Sequence, residues 1–301
     1  MIEALTNQIP FISNCKKIIQ IKKGASSDKK YLINLEDNQK VLLRVFNHEA
    51  LEAKKAEYSI LEKMRDYNVT CSQPISIGKV DNRGYILTTY IEGKDAEDEL
   101  PLCTEQEQFN IGIEAGQNLR KMHQYTAPSH VTSWYLRKKE KHQKYLDAYL
   151  KCEMKIQNDQ KIIKFIEENI HLMKQRPNIF QHDDFHVGNI IVNKKKFAGV
   201  IDFNRYDWGD PIHEFLKIGI FSRKVSIPFS IGQIQGYYNN TEPEEYFWRL
   251  YSLYLAMCVF STVIWTIKTI PDSIDDMLEK VYLFLEDHDN FRELKPKWYT
   301  V

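Results

Sequence analysis

The run Phe180-Gln181-His182-Asp183-Asp184-Phe185-His186-Val187-Gly188-Asn189 decides how the chain is read. It leads into two apolar, β-branched runs, Ile190 to Val192 and Phe197 to Ile201, separated by Asn193-Lys194-Lys195-Lys196. This alternation of strand-like segments and a polar turn predicts a hairpin. A hairpin returns its two ends to the same place, so Asn189, just before the first strand, and Asp202, just after the second, are expected side by side. An amide oxygen and a carboxylate are hard oxygen donors of the kind Mg2+ takes. Asp184 places another carboxylate in the same loop, five residues ahead of Asn189.

Asp184 and Asn189 have D-x-x-x-x-N spacing, and His182, Asp184 and Asn189 match the kinase catalytic loop H-x-D-x-x-x-x-N position by position. In phosphoryl transfer a carboxylate accepts the proton of the attacking hydroxyl, and metal ions neutralise the nucleotide phosphates. The sequence HDDFHVGN, followed by VIDF at 200–203 and GDP at 209–211, resembles the aminoglycoside phosphotransferase and choline kinase-like superfamily. That resemblance implies an α+β, two-lobed protein kinase-like fold with a small β-rich N-lobe over residues 1–91 and a larger, mainly helical C-lobe over 92–301. It implies Asp184 as catalytic base and Asn189 and Asp202 as Mg2+ ligands, with His182, His186 and Asp210 holding the loop in shape. Two positions depart from the pattern: Asp183, where the family often has Gly, and Asn204, where protein kinases have Gly.

In the first ninety residues, Ile18 to Ile21 and Tyr31 to Leu35 flank a polar stretch, 22–30, that reads as a turn. Small side chains at Gly24, Ala25, Ser26 and Ser27 let backbone amides and hydroxyls approach phosphate oxygens. The stretch resembles the G-x-S-S-D-K-x-Y segment of some phosphotransferases, which makes Ser26 and Ser27 candidate phosphate contacts. Arg44, in the strand Val41 to Phe46, stands where kinases carry a phosphate-binding lysine; a planar fork replaces a point charge there. Glu57, in the middle of a helical pattern over 49–65, is its candidate partner. Thr88 to Gly93 resembles the interlobe hinge, so Thr89, Tyr90 and Ile91 are expected to meet the base of ATP or GTP with their backbone groups.

Composition bounds the alternatives. Lys and Arg total 41, as do Asp and Glu, giving a formal charge of zero, which speaks against a general nucleic-acid binder. Five cysteines far apart, without a C-x-x-C pair, indicate neither a zinc site nor a disulfide framework. A cytoplasmic setting suits them, and the opening residues lack the features of a signal peptide. Leu250 to Ile267 carries no charge over a length at the lower limit for a membrane span. Its serines, threonines and tyrosines make a buried helix of the second lobe the better reading, and no membrane partner is expected.

Thr104-Glu105-Gln106-Glu107 has the form of a capping box, opening a helix in which Gly112, Ala115 and Gly116 permit close approach to a neighbour. That helix is expected at the centre of the second lobe, with His123 at its end a packed, hydrogen-bonded histidine. Residues 137–176 read as two amphipathic helices. Only a few residues separate Asp202 from Trp208-Gly209-Asp210-Pro211, and no A-P-E follows, which leaves no platform for a peptide. The acceptor is therefore expected to be a small molecule, with no obligate protein partner.

Acids at Glu97, Asp98, Glu99, Glu242, Glu244, Glu245, Asp272, Asp275 and Asp276 fit attraction of a polycationic aminoglycoside antibiotic. The expected activity is transfer of a nucleotide γ-phosphate to a hydroxyl of such an acceptor, a resistance-type chemistry. The alternatives are a kinase of a small metabolite alcohol (choline, homoserine or a sugar) and a nucleotide-binding protein without transfer activity. Retention of Asp184, Asn189 and Asp202 argues against the last.

Overall fold

The computed structural model describes residues 2–23 and 27–300. The chain divides into two compact units, residues 1–93 with 198–204, and residues 94–197 with 205–301. The expected boundary at 91 thus falls at 93, and a short later segment containing Asp202 returns to the first unit. The return follows from pairing: Cys71 bridges Val200 in parallel, and the Val200 amide donates to Thr70 O at 2.9 Å.

The first unit begins with α1 (Ile2–Thr6) and is built on five antiparallel strands: β1 (Lys17–Ile21), β2 (Lys29–Asn34), β3 (Lys40–Asn47), β4 (Pro74–Val80) and β5 (Arg83–Thr89), in the order β1-β2-β3-β5-β4. The helix α2 (Leu51–Asp66) lies between β3 and β4 in the chain. Alternation along β3 sends Val41, Leu43 and Val45 into a core with Ile33 and Leu87, closed by Leu5, Ile9 and Ile12 from the N-terminal segment. The opposite phase of the same strand carries Arg44, in register with Lys30 on β2 and Ile86 on β5. The candidate turn residues 24–26, Ser26 included, lie outside the described residues, and Ser27 is exposed.

The second unit contains β6 (Lys94–Asp95), α3 (Ala96–Glu99), α4 (Glu105–Met122), α5 (Trp134–Leu150), α6 (Asp159–Asn169), β7 (Ile179–Gln181) and β8 (Ile190–Asn193). The chain crosses units within β9 (Lys196–Val200) and comes back for β10 (Asp207–Gly209), α7 (Arg223–Val225), α8 (Ile227–Tyr237), α9 (Glu245–Thr269) and α10 (Ile274–Asp287). The capping box at Thr104 forms as its letters predict, with Thr104 Oγ1 accepting from the Glu107 amide and Glu107 Oε2 from the Thr104 amide.

The centre of this unit is α9 rather than α4. Its residues from Leu250 to Val263 are almost all buried, against α5, α6 and α10. The helix is long and apolar enough to cross a membrane, and 78% of its most apolar window is buried inside the protein. The glycines of α4 serve another contact. Gly112 and Gly116 face Gly232 and Gly236 of α8, and a Cβ at Gly116 would stand 2.1 Å from Gln233 O, one at Gly236 2.1 Å from Ile113 O. Two small-xxx-small stripes thus bring the backbones together, where any side chain would meet carbonyl oxygen.

Candidate active site

Strand β7 pairs with β10, Phe180 opposite Trp208, and delivers the chain into the loop 182–189. Asp183, the first departure from the family pattern, has φ 61°, a left-handed conformation that Gly adopts freely and Asp tolerates. The substitution therefore preserves the bend. Glu214 holds the loop from beneath: its carboxylate accepts from the Asp183 amide at 3.2 Å and from the Phe185 amide at 3.4 Å. Glu214 is itself buried, with His123 Nε2 at 4.0 Å, while His123 Nδ1 meets the Tyr237 hydroxyl at 2.8 Å. Asp210, fully buried, takes a bidentate pair from Arg176 at 2.7 and 2.8 Å, the Tyr254 hydroxyl at 2.6 Å and the Ile212 amide at 2.9 Å. Its carbonyl accepts from Gln181 Nε2 at 2.6 Å, so it fixes the strand that leads into the loop.

Within that frame Asn189 Nδ2 donates to Asp184 O at 2.8 Å and to Asp184 Oδ2 at 3.2 Å. Both amide hydrogens are thereby directed at Asp184, and the amide oxygen is turned elsewhere, as a metal ligand requires. Lys217 Nζ lies 3.0 Å from Asp184 Oδ1, and His186 Nε2 lies 3.6 Å from the same oxygen. His186 Nδ1 accepts the Gly188 amide at 3.1 Å, which places the ring proton on Nε2, toward Asp184. Burial alone would raise the Asp184 carboxyl. His186 and Lys217 overcome it and hold the group well below the usual carboxylate range, and so ionised.

Neighbouring Asp183 goes the other way, pushed by burial up to about 6, although Lys217 opposes the shift. Sequence reasoning missed Lys217 and Glu214. Their signal was a cation and a carboxylate embedded in the apolar run from Ile212 to Phe221.

In the first unit Arg44 and Glu57 pair as expected: Nη1 reaches Glu57 Oε1 and Nη2 reaches Oε2 at 3.2 Å. Two further residues complete the cluster. Asp28 Oδ2 accepts from Arg44 Nη2 at 2.7 Å and Nε at 3.2 Å, and from Lys54 Nζ at 2.7 Å. Lys54 also lies 3.5 Å from Glu57 Oε2. Burial would raise the Asp28 carboxyl, but Lys54 and Arg44 hold it below its ordinary value. Two cations and two carboxylates, removed from water together, form a balanced set.

At the expected hinge, the Thr89 amide donates to Gln73 O at 2.9 Å and the Tyr90 amide to Lys40 O at 3.1 Å, so both serve the sheet. Among the described residues none accepts from the Ile91 amide. Asp202 has φ 70° and is exposed, and among the described residues its carboxylate closes no ion pair. A carboxylate left open in this way suits Mg2+, which keeps several waters and phosphate oxygens of its own. No cluster of three or more His, Cys, Asp or Glu suited to a metal occurs among the described residues. Asn189 and Asp202 belong to different units, so the expected hairpin juxtaposition is not a feature of either one.

The model of the phosphotransferase enzyme family (APH) matches residues 17–248, a span that takes in Arg44, Glu57, the catalytic loop and Asp202. The chain belongs to the phosphotransferase enzyme family. Its fold is shared with solved relatives at low identity. The ADP-bound aminoglycoside phosphotransferase APH(2'')-Ib is 17% identical with a TM-score of 0.64, covering 100% of this chain and 98% of its own. The ternary complex of APH(2'')-IIa with streptomycin and ATP is 18% identical, with a TM-score of 0.63 and coverage of 92% and 95%. Aminoglycoside phosphotransferase APH(4)-Ia is 14% identical, with a TM-score of 0.66 and coverage of 94% and 96%. Among curated proteins none matches the chain. Family and fold together support a kinase-type phosphotransferase that binds a nucleotide, in the α+β protein kinase-like class.

Proposed function

We propose that this phosphotransferase moves the γ-phosphoryl group of ATP or GTP to a hydroxyl of a small-molecule acceptor. The observation that carries the reading is the placement of Asp184: its carboxylate accepts from Asn189 Nδ2 at 3.2 Å and from Lys217 Nζ at 3.0 Å, and the same amide holds the Asp184 backbone carbonyl at 2.8 Å. In the reaction Asp184 accepts the proton of the acceptor hydroxyl as its oxygen attacks phosphorus. Asn189 and Asp202 would hold Mg2+, which would neutralise charge on the phosphates. Arg44, positioned by Glu57, contacts phosphate, as do Ser26 and Ser27. Thr89, Tyr90 and Ile91 form the base-binding stretch, with the Ile91 amide as its donor.

An aminoglycoside-type antibiotic is the acceptor supported by the names of the solved relatives. A small metabolite alcohol is a second reading, favoured by the Lys217 ammonium 3.0 Å from Asp184, a charge that does not suit a polycation. A cytoplasmic setting, where nucleoside triphosphate is supplied, suits either. The test is nucleotide consumption with Mg2+ and either ATP or GTP against a panel of aminoglycosides and small alcohols. Acceptor-dependent release of nucleoside diphosphate is the expected result, and panel-wide silence despite tight nucleotide binding would favour a non-transferring protein.

A further inference from the structure

Several cations drawn out of water in the helical unit are closed by a carboxylate: Arg176 by Asp210 at 2.7 Å, Arg223 by Asp287 at 2.6 Å, Arg137 by Asp207 at 3.0 Å and Lys217 by Asp184 at 3.0 Å. Lys138 is not. Among the described residues no carboxylate comes within ion-pair distance of its ammonium, which donates to His213 Nε2 at 2.8 Å. The rings of Trp134 and Tyr254 lie 5.6 and 5.9 Å from it. Lys138 is half-buried, and drawing its ammonium partly out of water with no carboxylate at ion-pair distance lowers its pKa to about 8.

The position of Lys138 relative to the catalytic loop gives that open charge a use. Its partner His213 points Nδ1 at Asp183 Oδ1, 4.0 Å away, and Asp183 precedes the Asp184 carboxylate on which Lys217 sits. Lys141, one helical turn further along α5 and exposed, adds to the potential at Asp183 and His213. Asp207 is closed by Arg137 and Asp184 by Lys217, which leaves Lys138 without a carboxylate at ion-pair distance. Several of the acids expected to attract a polycation are committed elsewhere: Glu99 to Lys94 at 3.0 Å, Glu242 to Lys295 at 2.7 Å and Glu245 to Arg249 at 2.8 Å.

We propose that Lys138 is the centre of an anion-binding subsite beside the 182–189 loop, so that the acceptor is a small alcohol carrying a carboxylate or phosphate group rather than a polycation. This deepens the phosphotransferase reading of Asp184 and rests on it. The acid group of the acceptor supplies the counter-charge that Lys138 lacks, while Lys217 screens Asp184 from the incoming anion. A hydroxyl on the same molecule is then presented to the base.

The test uses malonate, which has two carboxylates and no hydroxyl, titrated calorimetrically at constant ionic strength into protein saturated with Mg2+ and AMP-PNP. Malonate is expected to bind at least about tenfold more tightly than neutral malonamide, and Lys138→Gln to weaken it about tenfold, the scale of one charge-assisted hydrogen bond. Lys138→Arg, which retains the charge, should stay within about threefold, and Lys138→Met replaces Lys138→Gln if the latter does not fold. Absence of malonate binding to the wild-type protein, or equal binding after loss of the Lys138 charge, overturns the proposal. Failure of AMP-PNP to bind counts instead against the phosphotransferase reading, and the malonate titration, repeated without nucleotide, still decides the subsite. Faster nucleotide consumption with kanamycin than with D-glycerate would overturn it as well.

Discussion

Two clusters of buried charge, one in each unit, differ in how they are balanced. Around Arg44 two cations meet two carboxylates, and every ammonium or guanidinium has an acid at hydrogen-bond distance. In the helical unit Lys217 closes on Asp184, while Lys138 has only an imidazole and two ring faces. A closed set of opposite charges fixes geometry, since moving one member strands the others. An open set keeps a charge for something that arrives. The first cluster is therefore read as positioning for a constant partner, the nucleotide phosphates, and the second as recognition of the partner that varies between relatives, the acceptor.

The comparison breaks most visibly at the metal. Asp202→Ala is expected to abolish Mg2+-dependent nucleotide binding, whereas Asn189→Ala, losing a neutral ligand, is expected to be milder. Magnesium titrations of nucleotide affinity read the order directly, and unchanged dependence in both variants would remove these residues from the site.

The closed cluster makes its own prediction. Arg44→Ala and Glu57→Ala should each reduce kcat/KM for the nucleotide, and the double variant should fall short of the summed losses by about 0.5–3 kcal/mol. Additive losses would mean that the pair does not act through one contact. A stability control lies away from both clusters: Gly116→Ala forces a Cβ against the carbonyl of Gln233 and should destabilise the protein by about 1–3 kcal/mol in denaturant unfolding. A neutral result there would mean that α4 and α8 separate at little cost.

The smallest effect sharpens the open cluster. Lys138 faces Lys141, His142, His213, Asp183, Asp207 and Cys258, and its pKa near 8 lies below its ordinary value. The neutral amine cannot attract an anion, so malonate affinity should fall as pH rises through about 8. The matching stability term has the opposite slope: the folded state disfavours the ammonium, so this penalty is largest below pH 8 and fades as pH rises toward the unfolded value. Malonate affinity that is flat from pH 7 to 9 would separate Lys138 from anion binding.

Much of this was legible from letters alone because it is local. The capping box at Thr104, the buried run that became α9, the small-residue stripe on α4 and the spacing of Asp184 and Asn189 are each carried by one short segment. Asp28, Lys54, Glu214 and Lys217 were not legible, since each acts on a residue brought to it by the fold, Lys217 on Asp184 across 33 positions. The stretch from Thr88 to Gly93 shows the same limit. The expectation that Thr89 and Tyr90 offer their amides to a base could not foresee that both serve the sheet, through pairing with Gln73 and Lys40. Asp183 stood out as a departure in sequence, and only its left-handed backbone explains why the departure is tolerated.

The central claim is that Asp184 accepts the proton of the acceptor hydroxyl. Single-turnover transfer from radiolabelled ATP or GTP, comparing the wild-type protein with Asp184→Asn at matched nucleotide occupancy, tests it most directly. The account predicts nearly unchanged nucleotide affinity with transfer slowed by about 10²- to 10⁴-fold. Transfer by Asp184→Asn at the wild-type rate would contradict it.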